Sequence, residues 1–149
     1  MKMFDKIISV MSIRPDFRVW AKKDKKIYTR FGWLNFKDEC FSAYNHEVRH
    51  YVKVDFKDAI FMRSTGLHDR KGKKIFEGDI VRRFFKGDNP VLMFIWFDPE
   101  EQRFEALQDA NPHRREIWGL KRISEKHIEV VGNIYQHPKL VEEMRRNYE

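Results

Sequence analysis

The chain has 149 residues, a net charge of +7, 36% charged and 42% apolar residues, and a single cysteine, Cys40. This length allows one domain, read as an extension over residues 1–15 followed by a domain over 16–149, or by two β subdomains divided at about 16–62 and 63–149. One cysteine excludes an intrachain disulfide and fits a reducing cytoplasm, and no run of eighteen apolar residues is present to span a membrane.

Phe4, Ile7, Ile8 and Met11 recur at helical spacing and Pro15 ends the segment, which predicts a short amphipathic helix. Its apolar stretch is too short and too charged for a secretory signal. Phe17–Trp20 reads as a strand, Lys23–Lys26 as a charged turn, and Ile27–Phe36 as one returning strand with a bulge at Gly32. Cys40–Asn45 and His50–Val54 read as a hairpin, since Val52 and Val54 alternate with polar positions.

The stretch Arg63–Arg82, RSTGLHDRKGKKIFEGDIVR, packs two turns between apolar runs. Ile60–Met62 is a short strand that Ser64-Thr65-Gly66 breaks. Asp69-Arg70-Lys71-Gly72 and Glu77-Gly78-Asp79 are tight turns, with positive φ or a backbone path too close for a Cβ expected at Gly72 and Gly78. Ile80–Phe85 opens the next strand. Val91–Phe97 is the most apolar strand and is expected at the centre of a sheet, with Arg103–Leu107 beside it. Asp109–Arg115 is a polar loop. Ile117–Leu120 and His127–Tyr135 are the last strands, with one helical turn begun by Ser124. Pro138 starts a helix whose apolar face is Leu140, Val141 and Met144. Thirteen Phe, four Trp and a turn every eight to twelve residues predict a mainly β, barrel-like fold, SH3-like over residues 76–135, with a short C-terminal α-helix and minor helices.

His46-Glu47-Val48-Arg49-His50 spells H-E-x-x-H, which on a helix would place two imidazoles for zinc and a carboxylate as base. The flanks read as strands, where residues four apart sit about 13 Å from each other, too far to share an ion. No phosphate loop is present, because Gly66, Gly72 and Gly78 are widely spaced and lack a following Lys-Ser or Lys-Thr. Cys40 beside Phe41 reads as packing. Basic residues are dense at Arg70, Lys71, Lys73, Lys74, Arg82, Arg83 and Lys86, with Arg114, Arg115, Lys121 and Arg122 further on. Phe84, Phe85, Trp96 and Trp118 lie close in sequence, and barrels that bind nucleic acid combine such charges with stacking rings. No cofactor and no metal is expected.

Thr65-Gly66-Leu67, Asp69, Gly72, Ile75-Phe76 and Glu77-Gly78-Asp79-Ile80-Val81 resemble the signature of the YopX family of phage and prophage proteins. Phe17-Arg18-Val19-Trp20 with Lys22 resembles its opening strand. Val131-Gly132-Asn133-Ile134-Tyr135, then Pro138 and Leu140, resembles its close, with His137 where a small polar cap is expected. The resemblance spans about residues 16–144. It implies a fold and a phage origin in a bacterial cytoplasm, but no established activity or catalytic set. Together these readings favour a non-enzymatic binding or assembly module with a protein partner or a second copy of itself. Nucleic-acid binding through Lys73, Lys74, Arg82 and Arg83 is second, and a zinc hydrolase using His46, Glu47 and His50 is third.

Overall fold

The computed structural model describes residues 16–108, 117–120 and 125–146. The expected helix over 1–15, the loop at 109–115, Lys121, Arg122 and Ser124 lie outside the described residues. Among the described residues, twelve strands form three antiparallel sheets, accompanied by one α-helix. The first has the order β2-β1-β6-β7, from β1 (Phe17–Ala21), β2 (Lys26–Tyr28), β6 (Ala59–His68) and β7 (Lys74–Phe76). The second has the order β3-β4-β5, from β3 (Phe31–Asn35), β4 (Cys40–Asn45) and β5 (His50–Asp55). The third has the order β11-β10-β9-β8-β12, from β8 (Asp79–Arg83), β9 (Val91–Asp98), β10 (Arg103–Leu107), β11 (Ile117–Gly119) and β12 (Ile128–Asn133). Helix α1 (Pro138–Arg146) closes the chain, and the fold is mainly β, as the composition predicts.

Two expected strands need correction. Ile27–Phe36 is divided, because β2 pairs with β1 while β3 pairs with β4. The chain changes sheets at Thr29-Arg30, a corner where strands pass from one layer to the next. Phe31 then stacks on Phe17 with ring centroids 4.9 Å apart, so the two layers stay joined across the break. The strand at Ile60–Met62 does not end at Ser64. Strand β6 continues to His68 through Gly66, which takes φ 77°. The freed N–H groups there are met locally: Gly66 N donates to Ser64 Oγ (3.2 Å) and Leu67 N to Thr65 Oγ1 (3.1 Å).

The core follows these layers. Val19, Ala21, Tyr28, Phe41, Ala43 and Val54 fill the space between the first two sheets. Val81, Met93, Ile95, Ala106, Ile128 and Val130 line the inside of the third, together with Ile75 and Leu120. Ile80 and Leu92 face the other way and are covered by Met144 of α1. Strand β8 is therefore buried on both faces, and burying each such aliphatic side chain is worth about 1.5–3 kcal/mol.

Candidate functional site

The central motif builds structure. Asp69 is buried, and its Oδ1 accepts from the backbone N–H groups of Lys71 (2.8 Å) and Lys73 (2.9 Å). Its Oδ2 accepts from Val130 N (2.9 Å), which ties the turn to β12. Burial acts to raise the Asp69 pKa, but the three donors prevail and hold it below the ordinary carboxylate value. Gly72 lies in the same turn at φ 80° and donates to the Asp69 carbonyl. Thr65 Oγ1 donates to the Ile75 carbonyl (2.9 Å), and Leu67 packs on the core of the third sheet.

The second turn is tighter. Gly78 takes φ 82°, and a Cβ there would lie 3.0 Å from Met62 Cε and 3.1 Å from Tyr135 Cε2. Its N–H donates to the Ile95 carbonyl and its carbonyl accepts from Ile134 N, so it joins β9 to the end of β12. Asp79 is fully buried, accepts from Phe76 N (2.9 Å) and pairs with the Arg18 guanidinium. Burial raises the Asp79 pKa against the pull of Arg18. Glu77 holds Arg63 at 3.1 Å, and Trp20 stacks on Tyr135 at 6.0 Å. At Gly132 a Cβ would meet Leu140 at 2.7 Å and the His137 ring at 2.9 Å. Asn133 Oδ1 accepts from Tyr135 N and Gln136 N, and His137 Nδ1 accepts from Asn133 N (3.1 Å), which seats Pro138 at the first position of α1.

The basic residues between 70 and 86 do not form one row. Lys71 pairs with Glu129 (2.8 Å) and Lys74 with Asp16 (2.6 Å). Arg70 lies over the Phe84 ring (4.8 Å) and Arg83 over Phe85 (4.4 Å), while Lys73 stays exposed. Arg82 pairs in register with Leu92 and Arg83 with Val91, so adjacent positions put them on opposite faces of β8. Arg114, Arg115, Lys121 and Arg122 lie outside the described residues.

His46, Glu47 and Arg49 occupy the turn of the β4–β5 hairpin, and His50 opens β5, so the H-E-x-x-H string is not helical. Glu47 pairs with Lys26, and the His46 ring sits edge-on to Tyr44 at 5.0 Å. Among the described residues no group of three His, Cys, Asp or Glu side chains is placed to hold a metal ion. Cys40 is buried.

The exposed rings gather elsewhere. Seven large hydrophobic side chains are exposed among the described residues, and five of them, Trp33, Leu34, Phe36, Val48 and Tyr51, lie on the β3–β5 unit. At β3 the register shifts between Phe31 and Leu34, so Gly32 and Trp33 both oppose the single Ser42. Leu34 pairs with Phe41 on the core side, and Phe36 extends along that side to meet Phe56 at 6.3 Å. Phe36 is the most exposed of the seven at 76%. A bulge was legible at Gly32, but strand alternation alone does not show which side Trp33 then takes.

The sequence profile of the YopX protein family matches residues 16–142. The chain belongs to the YopX family. The fold agrees with the crystal structure of protein EF1440 from Enterococcus faecalis, which superposes at a TM-score of 0.55 over 87% of this chain and 99% of that one, at 20% sequence identity. No curated protein matches the chain. The motif residues of this YopX protein are thus the ones that close its turns and join its sheets, and the exposed rings lie apart from them on β3–β5. No helix among the described residues is long and apolar enough to cross a membrane.

Proposed function

We propose that this YopX protein is a non-enzymatic assembly module of phage or prophage origin, acting in the bacterial cytoplasm by pairing with a second copy of itself along β3. The observation that carries the reading is the state of that edge. Strands β2, β5, β7, β11 and β12 also lie at sheet edges; β2, β5, β7 and β12 each carry a charge (Lys26, Lys53 and Asp55, Lys74, and Glu129), and β11, which carries none, is only three residues long against five in β3. Such charges blunt an edge against pairing with another chain. Strand β3 has neither charge nor proline, and among the described residues nothing pairs with its outer edge. It exposes Trp33 and Leu34, with Phe36 just beyond. Antiparallel pairing of β3 with its own copy would satisfy both open edges at once and close as a two-fold dimer.

The chemistry of the motif supports a module without catalysis. Asp69 and Asp79 are committed to backbone donors and an arginine inside the fold, and Glu77 to Arg63 at the surface. The hairpin setting of His46 and His50 gives the zinc-hydrolase reading no support. Nucleic-acid binding by Lys73, Lys74, Arg82 and Arg83 is weakly supported, since Lys74 is paired and the two arginines diverge. Sedimentation of the full chain over a range of concentrations, beside a variant with a charged β3 edge, tests the proposal.

A further inference from the structure

The outward side of the β3–β5 sheet has a character distinct from its apolar edge. Tyr44 and Tyr51 are register partners on this side, with rings 5.3 Å apart. Arg30 lies over both, 4.7 Å from the Tyr44 centroid and 5.9 Å from that of Tyr51. Trp33, turned to Ser42's side by the bulge, donates its backbone N–H to Ser42 Oγ (2.9 Å). Gly32 leaves the space this needs, because a Cβ there would fall 2.4 Å from Ser42 Oγ and 3.1 Å from the Tyr51 ring. Tyr51 is thereby held against the strand with 41% of its surface exposed, and Trp33 is 53% exposed.

The charges are not evenly balanced. Glu47 and Asp55, the carboxylates nearest the rings in sequence and register, pair with Lys26 and Lys53 respectively. Arg30 forms no ion pair among the described residues and remains exposed over its two rings. Rings set on a pleated surface beside the unpaired Arg30 guanidinium match the chemistry of unpaired bases on a phosphate backbone: bases stack on the rings, and the guanidinium takes a phosphate. A protein partner would be expected to meet a more uniformly apolar face, such as the Leu34–Phe36 edge.

We propose that this face, formed by Trp33, Tyr44, Tyr51 and Arg30, binds single-stranded nucleic acid. Every residue of the face comes from one chain, and of them only Trp33 lies on the β3 strand proposed to pair between copies.

Fluorescence anisotropy of labelled oligo(dT) and oligo(U), titrated with the full chain, tests it. Both are expected to bind, more tightly than a duplex of equal length, and more weakly as salt rises. Tyr51→Ala and Trp33→Ala are each expected to weaken binding roughly ten- to a hundred-fold, the worth of one lost stacking contact. Trp33→Phe keeps a ring and is expected to stay within a few-fold of the parent, while losing the tryptophan quenching that accompanies binding. Both positions are exposed, and circular dichroism checks that the three variants fold. A preference for oligo(U) assigns contacts to the 2′-hydroxyl, and equal binding assigns them to base and phosphate. No binding at low salt, a preference for duplex, or affinity that survives Tyr51→Ala and Trp33→Ala but is lost on combining Lys73→Ala with Lys74→Ala would overturn the proposal.

Discussion

Arg18 of β1 and Asp79 of β8 form a buried ion pair across 61 residues of sequence. Arg18 also lies over the Phe76 ring at 4.7 Å, and Asp79 accepts the Phe76 N–H. One pair therefore fastens the first sheet to the third at the turn that carries the central motif.

Removing one partner of such a pair leaves a buried charge uncompensated. Arg18→Met is expected to destabilise the fold by about 3–5 kcal/mol at neutral pH. Asp79→Asn combined with it should be less damaging than Arg18→Met alone. Burial already raises the Asp79 pKa, so the folded Arg18→Met variant takes up a proton more readily than its unfolded chain. Its deficit is expected to shrink as pH falls toward the carboxylate range. Urea unfolding of the four proteins of the cycle at two pH values measures both effects; a deficit that grows on acidification contradicts this assignment.

The two motif glycines separate backbone strain from crowding. Both have positive φ, but around Gly72 nothing lies within 4 Å of an added Cβ, whereas at Gly78 it meets Met62 and Tyr135. Gly72→Ala is expected to cost about 1 kcal/mol, and Gly78→Ala about 2–3 kcal/mol, by thermal unfolding. Equal losses would mean that the packing around Gly78 gives way freely.

Asp69 sets an acid limit on stability. Its pKa is lowered in the folded state, so the stability it supplies is present above the ordinary carboxylate pKa and is lost as pH falls through the folded value. Asp69→Asn cannot accept at both carboxylate positions and is expected to cost about 1–3 kcal/mol at neutral pH. The difference between parent and variant should narrow in acid. A difference that stays constant from neutral pH into strong acid would show that the three backbone donors do not depend on the charge.

Much of the fold was legible because local signals and tertiary position agree. The alternation around Val52 and Val54 locates β5, the apolar run at Val91–Phe97 lands at the middle of a five-stranded sheet, and Pro138 opens α1. The break at Thr29-Arg30 was hidden, since the residues on both sides are apolar and only pairing partners reveal the change of sheet. The continuation of β6 through Gly66 was hidden because side-chain oxygens of Ser64 and Thr65 replace the expected ladder bonds. The density of charge at 70–86 drew attention to a basic face, but periodicity does not show that Lys71 and Lys74 meet Glu129 and Asp16 from distant segments. The exposed rings were missed for the opposite reason: in sequence, Trp33, Phe36 and Tyr51 look like core.

The β3 edge is most directly examined by sedimentation equilibrium of the parent chain and of Leu34→Lys combined with Phe36→Lys. Both side chains are exposed, so the substitutions leave the monomer folded. The parent is expected to move from monomer toward a discrete dimer as concentration rises through the micromolar range, and the variant to remain monomeric throughout. A parent that stays monomeric at the highest concentrations, or a variant that dimerises as strongly as the parent, would contradict assembly through β3.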